Sequence, residues 1–217
     1  MVIRDWSSDV CSSDLGGYDF VLMASSTENL PNSGPRIGPV IISEIMYRPG
    51  STNGGGEFIE LHNRTDQPLV LQDWVSTQLS ADLQNVTMEL VPWRFTNGID
   101  FTFPLNTTIP AKDYLIVAEN PADFAAWYGA LNVQVLGPFE NDSKLNNDGE
   151  RVTLSRPADK EWQKDRYYIR VDSVEYNDAA PWPDGADGTG TSLQHINLSA
   201  ADAGLLYSND PANWCDG

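Results

Sequence analysis

The sequence predicts an all-β protein, an antiparallel β-sandwich with one short helix near residues 121–129. Three observations predict it. Short runs rich in Val, Ile, Tyr and Phe recur along the chain, and such side chains pack well on a pleated backbone. Clusters of Gly, Pro, Asn and Asp separate them, and the 217 residues include 17 Gly and 14 Pro, a turn-rich composition. Only one stretch carries both a start and a stop signal for a helix. Hydrophobic residues make up 41%, enough to bury a core. These patterns alone do not separate a sandwich from a barrel.

The first strong element is VIISEIMYRPGSTNGGGEFIELHN, Val40 to Asn63. Two apolar runs flank a Gly-rich loop and read as neighbouring antiparallel strands. In the second, Ile59 and Leu61 fall on one face, with Phe58, Glu60 and His62 on the other. A turn at Arg64–Pro68 leads to a short strand at Leu69–Leu71. Gln72–Pro92 holds two short apolar pieces without a sustained period and reads as an insertion or long loop. In WRFTNGIDFTF, Asn97-Gly98 between alternating apolar residues signals a tight turn. Ile99, Phe101 and Phe103 then share a face. Tyr114–Ala118 (YLIVA) is nearly continuous apolar sequence, which suits a central strand covered on both sides.

Pro121–Gly129 is the helix. Asn120 caps it, Pro121 sits in its first turn, Gly129 ends it, and Phe124, Trp127 and Tyr128 make an apolar stripe. Further strands are expected at Val133–Phe139, Arg151–Leu154, Tyr168–Tyr176 and Ser192–Ile196. Loops rich in Asp, Asn and Gly separate them.

The formal net charge is −18. Such a chain repels a nucleic-acid backbone on average, so no nucleic-acid partner is expected. No apolar run is long enough to span a bilayer. Residues 1–15 need separate treatment. DWSSDVCSSDL resembles the in-frame translation of a sequencing-adapter oligonucleotide, and 1–15 is set aside as an artefact expected to lack order. The net charge of that segment, from Arg4 against Asp5, Asp9 and Asp14, is −2, so −16 stays with the rest. Without Cys11, Cys215 is the one usable cysteine, and neither an internal disulfide nor a cysteine zinc site is expected. Residues 16–39 read as the remnant of an upstream segment and a linker, 40–198 as the sandwich, and 199–217 as a tail toward a next module.

Taken in order, VIISEIMYRP, EFIELHNRTDQPLVL, WRFTNGIDFTFP, IPAKDYLIVAENPADFAAWYG, LGPFENDSKLNNDGERVTLSRP, YIRVDSVEYNDAAPWPDGADGTGTSLQHI and NDPANW resemble the lamin-tail domain, in the form found in large secreted bacterial proteins. The resemblance implies an immunoglobulin-like sandwich, with Trp93 rather than Trp74 as the core tryptophan and Asp73–Pro92 as a variable insertion. It also implies an extracellular or cell-envelope location and covalent linkage to further domains. It supplies no catalytic residues.

The remaining candidates come from the residues. Glu44 and Glu60 sit on strands expected to pair, and two close carboxylates can share acid–base work. The alternative is a pair held by hydrogen bonds or by Arg151 or Arg170. His62 and His195, the only histidines, read as partly exposed strand residues. Neither has the partners of a nucleophilic triad. Asp178, Asp184 and Asp187 share a Gly-rich loop and are a candidate calcium site, although the spacing is not that of an EF-hand. Asp142, Asn147, Asp148 and Glu150 form a second acidic loop, and turn formation explains both without metal. Trp182 between two prolines is either an exposed platform or a plug at the end of the sandwich.

The expected function is a non-catalytic interaction or scaffolding module of a larger secreted bacterial protein. Its partner would be a protein or a cell-surface ligand, and no cofactor is expected apart from calcium. The alternatives are an accessory domain in a secreted hydrolase or kinase-like enzyme, and a ligand-free architectural spacer.

Overall fold

The structure is a computed structural model that describes residues 20–21, 38–50, 56–198 and 208–217. The adapter-like residues 1–15, nearly all of the expected linker and the start of the expected tail lie outside the described residues. The strands are β1 (Phe20–Val21), β2 (Val40–Met46), β3 (Phe58–Asn63), β4 (Leu69–Val70), β5 (Gln72–Gln78), β6 (Val86–Pro92), β7 (Arg94–Asn97), β8 (Thr108–Ile109), β9 (Tyr114–Ala118), β10 (Gln134–Leu136), β11 (Gly149–Pro157), β12 (Tyr168–Asn177), β13 (Leu193–His195) and β14 (Trp214–Asp216). One helix, α1 (Pro121–Tyr128), lies between β9 and β10.

Two sheets carry the fold. One has the order β1-β12-β11-β7, the other β10-β9-β3-β2-β13-β14. β4 pairs with β8, and β5 with β6, as small ribbons. Most pairings are antiparallel. β10 runs parallel to β9, and β1 parallel to β12.

The core between the sheets follows from side-chain alternation, with bulges where alternation fails. Ile59 and Leu61 of β3 point inward with Leu115 and Val117 of β9. In β2 the register slips between Ile42 and Glu44. The extra residue, Ser43, lets Val40, Ile42, Ile45 and Tyr47 all join the core. A second slip passes over Val171 in β12, so Val171, Val174 and Tyr176 are all core residues. Strict alternation along that strand would have placed Val171 opposite the other two.

Trp93 is 3% exposed, and its indole N–H donates to Asp73 Oδ2 at 2.8 Å. Trp74 is 66% exposed, so Trp93 is the core tryptophan. Ile99, Phe101 and Phe103 are buried after a turn in which Gly98 has φ +88°. A side chain there would meet Val152 at 2.9 Å, so glycine suits the position on both counts. Burying each such side chain stabilises the fold by roughly 1.5–3 kcal/mol.

α1 covers part of the outer face of the larger sheet. Asn120 Oδ1 accepts from the Ala122 and Asp123 N–H groups, and the Gly129 N–H closes the helix on Ala125 O. Phe124 packs with Met46, Phe58, Ile116 and Ala118 in a second apolar cluster, joined by Tyr128. Trp127 does not share that stripe. It is exposed, because an eight-residue helix lying on a sheet buries only a narrow line of side chains.

Two expectations are corrected by pairing. Gln72–Pro92 is not a loop but the β5–β6 hairpin, paired from Gln72↔Pro92 to Gln78↔Val86. The C-terminal residues do not all lie outside the sandwich. β14 pairs with β13, and Trp214 is buried.

Candidate functional site

The larger sheet turns a mixed polar and apolar face outward beside α1. Glu44 and Glu60 are register partners there. Alternation places them on the side opposite Ile45 and Ile59. Ser43 Oγ donates to Glu60 Oε1 at 2.8 Å, and Ser192 Oγ donates to Glu44 Oε1 at 2.5 Å. The bulge is what aims Ser43 at Glu60. Burial pushes Glu60 up to about 7, against the pull of Ser43 and with a further push from Glu44. Burial also raises Glu44, opposed by Ser192. The pair is held by serine hydroxyls, while Arg151 binds Glu175 instead, at 2.7 Å.

Two other carboxylates serve the frame. Glu57 Oε2 accepts the Leu145 N–H at 2.7 Å, and burial pushes this acid up to about 7. Asp172 is buried and spans the sandwich. Its Oδ2 accepts the Ile42 N–H at 2.8 Å, and its Oδ1 accepts the Ser208 hydroxyl at 2.7 Å. Burial raises its pKa against those bonds. An open cleft of about 400 Å³ lies at the amino end of α1. There Lys144 pairs with Glu119 at 3.0 Å. The lining holds Glu119, Asp123 and Asp142 with Asn120, Lys144 and Ser143, and the Ser143 hydroxyl accepts the Asp100 N–H.

Both histidines are buried, which corrects the expectation of partial exposure. The His62 ring packs at a tilt against Tyr114, centroids 4.5 Å apart, and the His195 ring against Trp214, centroids 4.8 Å apart. These rings shield them from water. Burial lowers His62, and it lowers His195 to about 4. A histidine held neutral inside a core packs and does not shuttle protons near pH 7. Trp182 also resolves: it is 8% exposed, belongs to the main core and lies 6.0 Å from the Trp214 ring. It plugs the end of the sandwich.

In the candidate calcium loop, Asp187 forms an ion pair with Arg48. Tyr47 is pushed up to about 12, by burial first and then by the charges of Asp187 and Asp178. Among the described residues, no three His, Cys, Asp or Glu side chains are grouped to hold a metal ion. Asp178, Asp184 and Asp187 are therefore not brought together as a ligand set in this arrangement. In the second acidic loop, Glu150 Oε1 accepts the Asn146 N–H at 2.6 Å and braces the turn.

Sequence reasoning missed the surface that stands out most. In the β5–β6 hairpin, Trp74 lies opposite Leu90, Ser76 opposite Met88, and Gln78 opposite Val86. Alternation puts all six on one face, and Trp74, Met88 and Val86 are 66%, 52% and 48% exposed. On the other face Val75 and Thr77 of β5 are buried, while Thr87 and Glu89 of β6 are exposed. Arg166 clamps that side, bonding Thr77 Oγ1 at 2.7 Å and Glu89 Oε2 at 2.8 Å. The period-2 pattern in VTMELV was the available signal. It was masked because apolar residues face solvent there and both faces carry them.

The two facing sheets with α1 outside define an immunoglobulin-like β-sandwich. Residues 34–178 match the Lamin Tail Domain family, and the chain belongs to that family. No curated protein and no solved structure gives a significant match. Among the described residues, no helix is long and apolar enough to cross a membrane.

Proposed function

We propose that this domain is a non-catalytic interaction or scaffolding module of a larger secreted bacterial protein, working outside the cell or in its envelope. One observation carries the reading: the uncharged face on which Trp74, Met88 and Val86 are exposed and Leu90 is half-buried, on a hairpin braced from behind. A large apolar patch on an otherwise strongly acidic chain is the usual mark of a docking surface. The carboxylates support the same reading. Glu44, Glu60, Glu57 and Asp172 are each engaged by a hydroxyl or a backbone N–H within the fold. Membership in a family of immunoglobulin-like domains is compatible with this role.

The test uses the parent protein, taken from the uninterrupted reading frame, with and without the pair Trp74→Ser and Met88→Ser. Binding to its protein or cell-surface partner is expected to fall while the activity of any neighbouring domain stays unchanged. Unaltered binding would remove the reading. Substrate turnover by the isolated chain, lost in Glu60→Gln, would replace it with an enzyme.

A calcium ion between Asp178, Asp184 and Asp187 is a separate proposal, and it requires the loop to draw those carboxylates together. A thermal scan with calcium against chelator decides it. A melting temperature raised by calcium supports the site, and an unchanged one excludes it.

A further inference from the structure

The turn after β7 sets an unbonded side-chain amide next to an unbonded backbone nitrogen. Asn97 ends β7, where it is the register partner of Thr153. Gly98 follows it with φ +88°. Asn97 is exposed, and among the described residues its side chain makes no hydrogen bond. The Gly98 N–H makes none there either. Other asparagines are engaged. Asn63 is fully buried, and its Nδ2 donates to Ile109 O and Pro110 O. Asn146 Oδ1 accepts the Asp148 N–H, and Asn177 Oδ1 the Ala179 N–H, both at 2.9 Å.

Most residues shield their own amide nitrogen with a Cβ, and glycine does not. Within the described residues, Asn97 is the asparagine that glycine follows. The fold itself requires that glycine. A Cβ at this position would meet Val152 Cγ2 at 2.9 Å and Val152 Cα at 3.1 Å. The packing that seats the turn on β11 therefore also leaves the nitrogen uncovered. A nitrogen and a side-chain carbonyl joined in one turn react without the cost of an encounter.

We propose that Asn97 is a site of spontaneous deamidation through a cyclic imide formed with Gly98. Hydroxide takes the Gly98 amide proton, and the nitrogen attacks Asn97 Cγ. A C–N bond forms there, the Cγ–Nδ2 bond breaks, and Nδ2 leaves as ammonia. Water then opens the imide at either of its carbonyls, giving aspartate or isoaspartate at position 97. Both products add a negative charge to a chain already at −18. Isoaspartate also routes the main chain through the former side-chain carbons, which lengthens it by one atom. The Asn97↔Thr153 rung and the seat of Gly98 on Val152 fit the shorter path. The buried side chains of Ile99, Phe101 and Phe103 follow directly from this turn, so the isoaspartyl chain is less stable.

The test ages the whole 217-residue chain in mildly alkaline heavy-oxygen water, folded and in guanidinium chloride, and maps its peptides by mass. The folded chain is expected to exchange NH for labelled oxygen at position 97 about tenfold or more faster than at Asn85 or Asn106. Those two are also exposed, but Val86 and Thr107 follow them. Aged wild type is expected to melt about 2–4 °C lower, while Asn97→Gln, which would have to close a larger ring, keeps its melting temperature. The variant also cancels any change at the other Asn-Gly step, Asn53-Gly54, which lies outside the described residues. If Asn97 stays intact in the folded chain and converts in guanidinium chloride, the fold holds the two groups apart and the proposal is overturned. Conversion at Asn85 or Asn106 as fast as at Asn97 also overturns it. An unchanged melting temperature in a chain carrying isoaspartate at position 97 overturns the structural consequence.

Discussion

Replacing Glu60 by Gln removes a carboxylate that the fold holds above its ordinary range. Glu60 sits mid-strand between Ile59 and Leu61, and Ser43 is its hydrogen-bond donor. Burial dominates, and the group titrates at about 7 rather than 4.5. Between about 4.5 and about 7 the folded chain keeps a proton that the unfolded chain has released. Stability therefore falls as pH rises through that window, and the stabilised form is the protonated one at its acid end. A 2.5-unit gap at 1.36 kcal/mol per unit sets a ceiling of about 3 kcal/mol. Solvent reaching the half-buried side chain reduces this to about 2 kcal/mol. Urea unfolding at about pH 5 and about pH 8 reads it directly through the linear extrapolation. Wild type is expected to lose about 2 kcal/mol more than Glu60→Gln between those conditions. Glu57, which also titrates at about 7, is present in both chains and cancels. Equal pH dependence in the two proteins would refute the placement of Glu60.

Other substitutions separate structural from surface roles. Asp172→Ala strands the buried Ile42 N–H and Ser208 hydroxyl, each costing about 1–3 kcal/mol, so urea unfolding should show a loss of about 2–6 kcal/mol. Trp93→Ala empties a core site and should cost about 3–5 kcal/mol. Trp74→Ala, on the open face, should change stability by less than about 0.5 kcal/mol. Thermal melts of those two variants side by side check both. Arg151→Ala breaks the exposed pair with Glu175, and a double-mutant cycle on that pair should return about 0.5 kcal/mol or less.

Much of the frame was legible because local signals and burial agree. The β2–β3 hairpin, YLIVA as an inner strand and the Asn120-capped helix follow from period and caps, while Trp93 as the core indole follows from the family resemblance. The failures have specific causes. Bulges at Ser43 and Val171 break period-2 reading, because one extra residue flips all that follow. β14 lies beyond an interval without apolar pattern, and pairing at such separation leaves no local trace. The histidines read as exposed because a lone polar residue in a strand does not announce the Tyr114 or Trp214 ring that covers it. The β5–β6 hairpin was missed for the reason that makes its outer face stand out. Its apolar residues face solvent, so alternation no longer marks an inside and an outside.

Residue-resolved amide hydrogen exchange at low protein concentration tests the central claim, a rigid sandwich with a hairpin whose β6 edge pairs with no other strand among the described residues. Leu115, Ile116 and Val117, in a strand flanked on both sides, should exchange only on global unfolding. Met88 and Leu90 amides should exchange far faster, within the same folded chain. Rapid exchange in Leu115–Val117, or strong protection at Met88 and Leu90 in the monomer, would contradict the account.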